Sequence, residues 1–227
     1  RQAYSCAAVY QQLADREAEI VGKAPQPPKG LRARLDTTLQ PALSEMLFTD
    51  KLVLVEGIED QVVLTTWIYA TGLEKEFRRR GVSIVPVNGK SDLLRCCLLA
   101  EAMEIPTFLM FDGDSNCKEG AREDHKALNN ALFKWAGEDG LSDFPDTDFV
   151  GSKMAVWHND IQGSIFSDVA DGELESAKTE ARALCGGVAK LNKNSLFLYE
   201  LMCVAADRGW TLGKLDAVTS RLCDDSW

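Results

Sequence analysis

The stretch Lys51-Leu52-Val53-Leu54-Val55-Glu56-Gly57 runs four apolar residues together and then stops on an acid and a glycine. A short continuous apolar run of this kind marks a strand buried on both faces, as in a parallel sheet. Downstream, Val62, Val63, Trp67 and Ile68 fall on one helical face that lasts to about Gly72. Val82 to Val87 reads as the next strand, closed by Asn88-Gly89, with Ser91 placed to cap a helix from Asp92 to Met103. Pro106 opens a third strand, Thr107 to Phe111, which runs into Asp112-Gly113-Asp114-Ser115-Asn116. A helix with Leu128, Ala131, Leu132 and Trp135 on one face follows and stops at Gly137. After an acidic loop, Val150 to Trp157 reads as a fourth strand. Strands alternating with helices at this spacing predict an α/β fold with a mostly parallel sheet.

Upstream, residues 1 to 21 read as a polar helix ending at Gly22. A linker, Ala24-Pro25-Gln26-Pro27-Pro28-Lys29-Gly30, follows. Leu35, Leu39, Leu43, Met46 and Leu47 make a helical stripe with a break at Pro41. Beyond the fourth strand the chain reads as helical. Leu174, Ala177, Ala181 and Leu184 share a stripe ended by Gly186-Gly187. Asn194 is placed to cap a helix carrying Leu198, Leu201, Met202 and Ala205, and Thr211 to cap one carrying Leu215, Val218 and Leu222. The expected organisation is an N-terminal helical arm and linker over 1–48, an α/β core over 49–160 and a helical C-terminal appendage over 161–227.

With 227 residues, 45% of them apolar and 26% charged, the chain has the composition of a globular protein able to fold without disulfides or a structural metal. No apolar run approaches the ~20 residues of a membrane span, so no membrane partner is expected. Thirty-five acids against 25 bases give a net charge of −10, which argues against a basic nucleic-acid coat. It does not exclude an enzyme that meets phosphates through divalent cations held by clustered carboxylates. Seven cysteines without a C-x-x-C spacing, and only two histidines, speak against a Cys/His zinc site. Reduced thiols and no signal peptide predict a cytoplasmic protein. The chain opens on Arg1 instead of Met and is expected to be a piece of a longer polypeptide.

Ligands of open parallel sheets bind at the carboxyl ends of the strands. Here three strand ends terminate in acids: Glu56, then Asp112 and Asp114, then Asp160. Asp60 lies in the first turn of the helix after Glu56, where its carboxylate can turn back to the same edge. Acids gathered on one edge repel one another unless a cation neutralises them, and hard oxygen donors select Mg²⁺, Mn²⁺ or Ca²⁺. Taken alone, Glu59 and Asp60 also suit ordinary helix-start charges. A calcium loop starting at Asp112 fails because Cys117 stands where its turn needs glycine and a strand precedes it. The D-x-D of haloacid-dehalogenase-like phosphatases sits on a first strand with a following threonine, whereas this one is on the third with Asn116.

Leu52-Val53-Leu54-Val55-Glu56-Gly57, Val87-Asn88-Gly89-Lys90-Ser91-Asp92 and Phe111-Asp112-Gly113-Asp114 resemble the glutamate and D-x-D motifs of a Toprim domain, a Rossmann-like α/β fold. The lead-in ending in Leu47-Phe48 is most similar to the OLD (overcoming lysogenization defect) nucleases, the class 2 branch in particular. The resemblance covers about Phe48 to Asp114 and extends more loosely to Ala206. It implies a metal-dependent DNA endonuclease that follows an ABC-type ATPase in one polypeptide and is a homodimer in full-length form. It implies Glu56, Asp112 and Asp114 as catalytic metal ligands, Asp60 as an aid to the first metal and Asp160 as a ligand of a second. Gln162 stands where that family often has glutamate. A lysine near the scissile phosphate is implied at Lys193, with Lys190 as the alternative. Two Mg²⁺ or Mn²⁺ ions about 4 Å apart stabilise the attacking and leaving oxygens of an in-line displacement, and one lowers the pKa of its bound water. Ca²⁺ is a non-catalytic substitute. A non-catalytic Toprim module binding DNA or a protein partner is the alternative reading.

Other features have plainer readings. Arg78-Arg79-Arg80-Gly81 suits either a DNA phosphate or the cationic end of a helix. Lys90, Lys153 and Arg182 are possible phosphate contacts without a motif. His158 suits either a water- or metal-binding role near Asp160 or a structural one, and His125 reads as a surface residue.

Overall fold

The computed structural model describes residues 6–27, 29–30, 32, 45–87, 89–187 and 194–224. Helix α1 (Cys6–Val21) is followed, after a gap, by a 3-10 turn at Glu45–Phe48. Strand β1 (Lys51–Val55) leads to α2 (Ile58–Ala70) and α3 (Glu74–Arg79), then β2 (Val82–Pro86), α4 (Lys90–Ala102) and β3 (Thr107–Asp112). Helix α5 (Arg122–Ala136) precedes two short strands, β4 (Phe149–Val150) and β5 (Met154–Trp157). The chain continues through α6 (Ile161–Ile165), α7 (Asp171–Leu184), α8 (Ser195–Asp207) and α9 (Gly213–Leu222).

The sheet order is β2-β1-β3-β5-β4, parallel except for β4, which pairs antiparallel with β5. Val53 sits opposite Ile84 on one side and Phe108 on the other, so β1 is central, as its unbroken apolar run predicts. Side-chain alternation sorts the strands into two cores. Leu52, Leu54, Leu109, Phe111, Met154 and Val156 face α1, α4 and α5. Val53, Val55, Phe108, Met110, Ala155 and Trp157 face α2, α7, α8 and α9. The result is three layers, with helices on both faces of the sheet. The helices of residues 161–222 make up much of the second layer, and their Leu201, Met202, Leu215 and Val218 are buried against it.

Three local readings need correction. The run from Val150 to Trp157 is not one strand: Gly151-Ser152-Lys153 forms a three-residue turn, with the Gly151 N–H donating to Met154 O at 2.8 Å, and residues 149–150 fold back on β5. Ser91 does not cap α4. Gly89, at φ 91°, is the residue before the helix, and its N–H is fixed on Glu56 O at 3.1 Å, so the helix starts at Lys90. Thr211 does not cap α9 either; Leu212 precedes that helix without a side-chain cap. Asn194 does cap α8, its side-chain oxygen accepting the Phe197 N–H at 3.1 Å. Most of the stripe over 31–44 lies outside the described residues. Among the described residues, no helix is long and apolar enough to cross a membrane.

Candidate metal centre

The parallel register brings the ends of β1 and β3 level, because Val55 pairs with Met110. The next residue of β1, Glu56, accepts the Asp112 N–H on Oε2 at 3.4 Å, so the two strand-end acids meet on the carboxyl edge. Asp112 Oδ1 accepts the Ile161 N–H at 3.0 Å, which ties the end of β3 to the start of α6. Asp60 is buried and its Oδ2 accepts the Gly57 N–H at 2.9 Å, bridging the start of α2. Asp160 is exposed, and its Oδ1 caps α6 by accepting the Gly163 N–H at 2.8 Å. Gln162 is half-buried in the first turn of the same helix.

Between the two aspartates, Gly113 is forced by close approach. A Cβ there would lie 2.9 Å from Trp157 O and 3.0 Å from His158 O, both backbone atoms. Asp114 follows in the left-handed region at φ 55°, which turns its carboxylate off the line of β3. Its Oδ2 receives the Lys90 ammonium at 2.5 Å and lies 2.8 Å from His125 Nδ1. Lys90 Nζ also donates to Asn129 Oδ1 at 3.0 Å and stands 5.4 Å from the Phe111 ring centre. His125 is therefore a neighbour of the D-x-D and not a plain surface residue.

The electrostatics follow from burial and crowding. Burial first, and then repulsion from Asp60, Glu56, Asp114 and Asp160, push the Asp112 carboxyl up to about 9. Burial pushes Asp60 up to about 7, against the lowering pull of the Gly57 N–H, with Glu56 and Glu59 adding repulsion. Glu56 is also raised by burial, the Lys90 charge drawing it partly back. Such a set of oxygen donors fits a hard divalent cation, which would relieve the repulsion. Among the described residues, however, no three Asp, Glu, His or Cys side chains are already disposed to hold one ion. Asp114 is instead engaged by Lys90 and His125.

His158 has a structural place. Its N–H and Nδ1 both meet Asp148 Oδ1, at 2.7 and 3.0 Å, and its Nε2 meets Asn159 Nδ2 at 2.8 Å. Arg79 and Arg80 are paired with Glu76, and Arg78 donates to the Tyr69 hydroxyl, as a cationic helix end would be. Lys193 and Lys190 lie outside the described residues.

Lys90, expected as a phosphate contact, is instead buried and paired with Asp114, and Asn129 is the residue that the sequence did not single out. Asn129, wholly buried, donates from Nδ2 to Gly113 O at 2.8 Å and to Asp143 O at 2.9 Å. A signal for Lys90 was present: a lysine in the first turn of a helix stands against the helix dipole and needs an acid to hold it there.

Residues 47–114 match the family model described as "Overcoming lysogenization defect protein-like, TOPRIM domain". The match runs from the 3-10 turn through the second aspartate of the D-x-D, so it covers the ends of β1 and β3 where Glu56, Asp112 and Asp114 stand. No curated protein and no solved structure matches the chain.

Proposed function

We propose that the chain, built around an OLD-like Toprim domain, hydrolyses the phosphodiester backbone of DNA with two divalent ions, Mg²⁺ or Mn²⁺, as the catalytic region of an ATPase-nuclease. The observation that carries this reading is the meeting of Glu56 and Asp112 at the carboxyl edge of the sheet. Glu56, Asp60, Asp112 and Asp114 would hold one ion, and Asp160 belongs with a second. Bound there, the ions would supply Lewis acidity toward the phosphate and an acidified water.

The chain's own groups prepare the place. The Ile161 N–H holds Asp112 Oδ1, and the Gly57 N–H holds Asp60 Oδ2, so neither carboxylate swings freely. The close packing at Gly113 and the left-handed backbone of Asp114 fix the turn that carries the two aspartates. With a net charge of −10, the protein repels DNA phosphates unless cations sit on the acids, which ties substrate binding to ion binding.

A nicking assay on supercoiled plasmid with Mg²⁺ or Mn²⁺ tests the proposal. Wild-type protein is expected to nick, and Asp112→Ala with Asp114→Ala to lose at least ~100-fold of the rate, as expected when ligands of a catalytic ion are removed. Full activity of the double variant overturns the reading. The ion pair between Asp114 and Lys90 favours a second one, a non-catalytic module in which a lysine stands where a cation would. Wild-type protein that binds DNA but leaves it uncut would select that alternative.

A further inference from the structure

We propose that Lys90 is an internal counter-cation that occupies Asp114 when no divalent ion is bound, and so sets the affinity of that end of the site for the ion. The inference rests on the metal-dependent reading above. Lys90 acts through Asp114 and is a positioning residue.

Its side chain is 3% exposed. A buried ammonium is costly unless it is paired and hydrogen-bonded. Here it is both: Asp114 Oδ2 at 2.5 Å, Asn129 Oδ1 at 3.0 Å and the face of Phe111 at 5.4 Å surround it. Asn129 cannot turn its amide over, because its Nδ2 already serves the Gly113 and Asp143 carbonyls. Its oxygen is therefore committed to Lys90. Gly113 is the middle residue of the D-x-D, so the lysine, the asparagine and the two aspartates form one fixed assembly.

The position of Lys90 in the fold supports the same role. As the first residue of α4 it stands where the helix dipole disfavours a cation. The Gly89 N–H on Glu56 O pins that helix start to the end of β1. The ammonium is thus presented to Asp114, close enough for Glu56 to feel its charge, at the cost of a poor helix position. A divalent ion that takes Asp114 must displace Nζ from Oδ2 and then lie beside a positive charge. Both effects weaken ion binding, and both vanish if the side chain is neutral.

Calorimetric titration with Mn²⁺ of wild type, Lys90→Met and Lys90→Arg tests this. Methionine has nearly the volume of lysine without its charge. Lys90→Met is expected to bind Mn²⁺ at least tenfold more tightly than wild type, and Lys90→Arg to stay within threefold of wild type. A purely structural role predicts unchanged or weaker binding in Lys90→Met, and that result overturns the proposal. A second measurement needs no variant to fold: in wild-type protein labelled with ¹⁵N-lysine, the ammonium resonance in contact with the Phe111 ring should shift on saturation with Mg²⁺. A resonance that does not move overturns the proposal. If neither wild type nor Lys90→Met binds Mn²⁺, the metal-dependent reading falls as well. If wild type binds Mn²⁺ and nicks DNA while Lys90→Met binds it no more tightly, only the role of Lys90 falls.

Discussion

At Asp112 a single carboxylate is held by one N–H, from Ile161, while burial and then four neighbouring acids oppose its charge. A carboxyl raised to about 9 in the folded state, against an ordinary 3.8, makes the ion-free protein less stable as pH rises from about 4 to about 9. Asp112→Asn keeps an oxygen for the Ile161 N–H and removes the charge. In the presence of a chelator this variant should melt several degrees higher than wild type near pH 9, since ~1 kcal/mol moves Tm by roughly 2–4 °C at this size. The gap should narrow toward pH 4. Scanning calorimetry across that range checks it, and an equal or lower Tm at pH 9 refutes it. The strand-end acids Glu56, Asp112 and Asp114 were legible because an acid directly after a buried apolar run is conspicuous. The pairing of Lys90 with Asn129 was not, since it joins residues 39 apart in the chain.

Among the elements, the β4–β5 hairpin and the segment leading into it are organised by Asp148, which lies just before β4. Its Oδ1 accepts the His158 N–H and the Ser164 hydroxyl, both at 2.7 Å, and its Oδ2 is 2.5 Å from Lys214 Nζ. One carboxylate thereby ties the lead-in of β4 to the end of β5, to α6 and to α9. Burial pushes Asp148 up, but the Lys214 ammonium and the three hydrogen bonds outweigh it and hold the carboxyl down at about 2. Because the folded value is below the ordinary one, this stabilisation is fully present above pH ~4 and is lost as pH falls through about 2. Asp148→Asn should lower Tm at pH 7 by several degrees, as a broken, partly buried ion-pair network does. The difference from wild type should shrink below pH 3. A Tm difference independent of pH would show that the charge of Asp148 does not matter. None of this was visible in the acidic loop before β4, where Asp143, Asp146 and Asp148 look alike in sequence.

Across the whole molecule, two hydrophobic clusters on opposite faces of one sheet bear the packing. The second depends on helices far along the chain from residues 47–114: α8 packs on α2, with Met202 wholly buried. Met202→Ala should cost roughly 2–5 kcal/mol, as large-to-small core substitutions do. In urea unfolding it should lower the midpoint without changing the slope. A cost below ~1 kcal/mol would mean that α8 contributes little to the stability of the sheet. The helical stripes of 161–222 were readable from their spacing, but which face of the sheet they would cover was not.

The amino-acid sequence alone determined the kind of fold and the edge on which the candidate acids stand. Helical stripes, apolar runs without interruption and acids at the strand ends are properties of local chain, and they survive whatever the partners are. Strand order, the fold-back of β4 and the capture of Asp114 by Lys90 and Asn129 were decided by tertiary structure. These depend on which helix start is brought to which strand end, a long-range choice set by how two apolar faces are packed together.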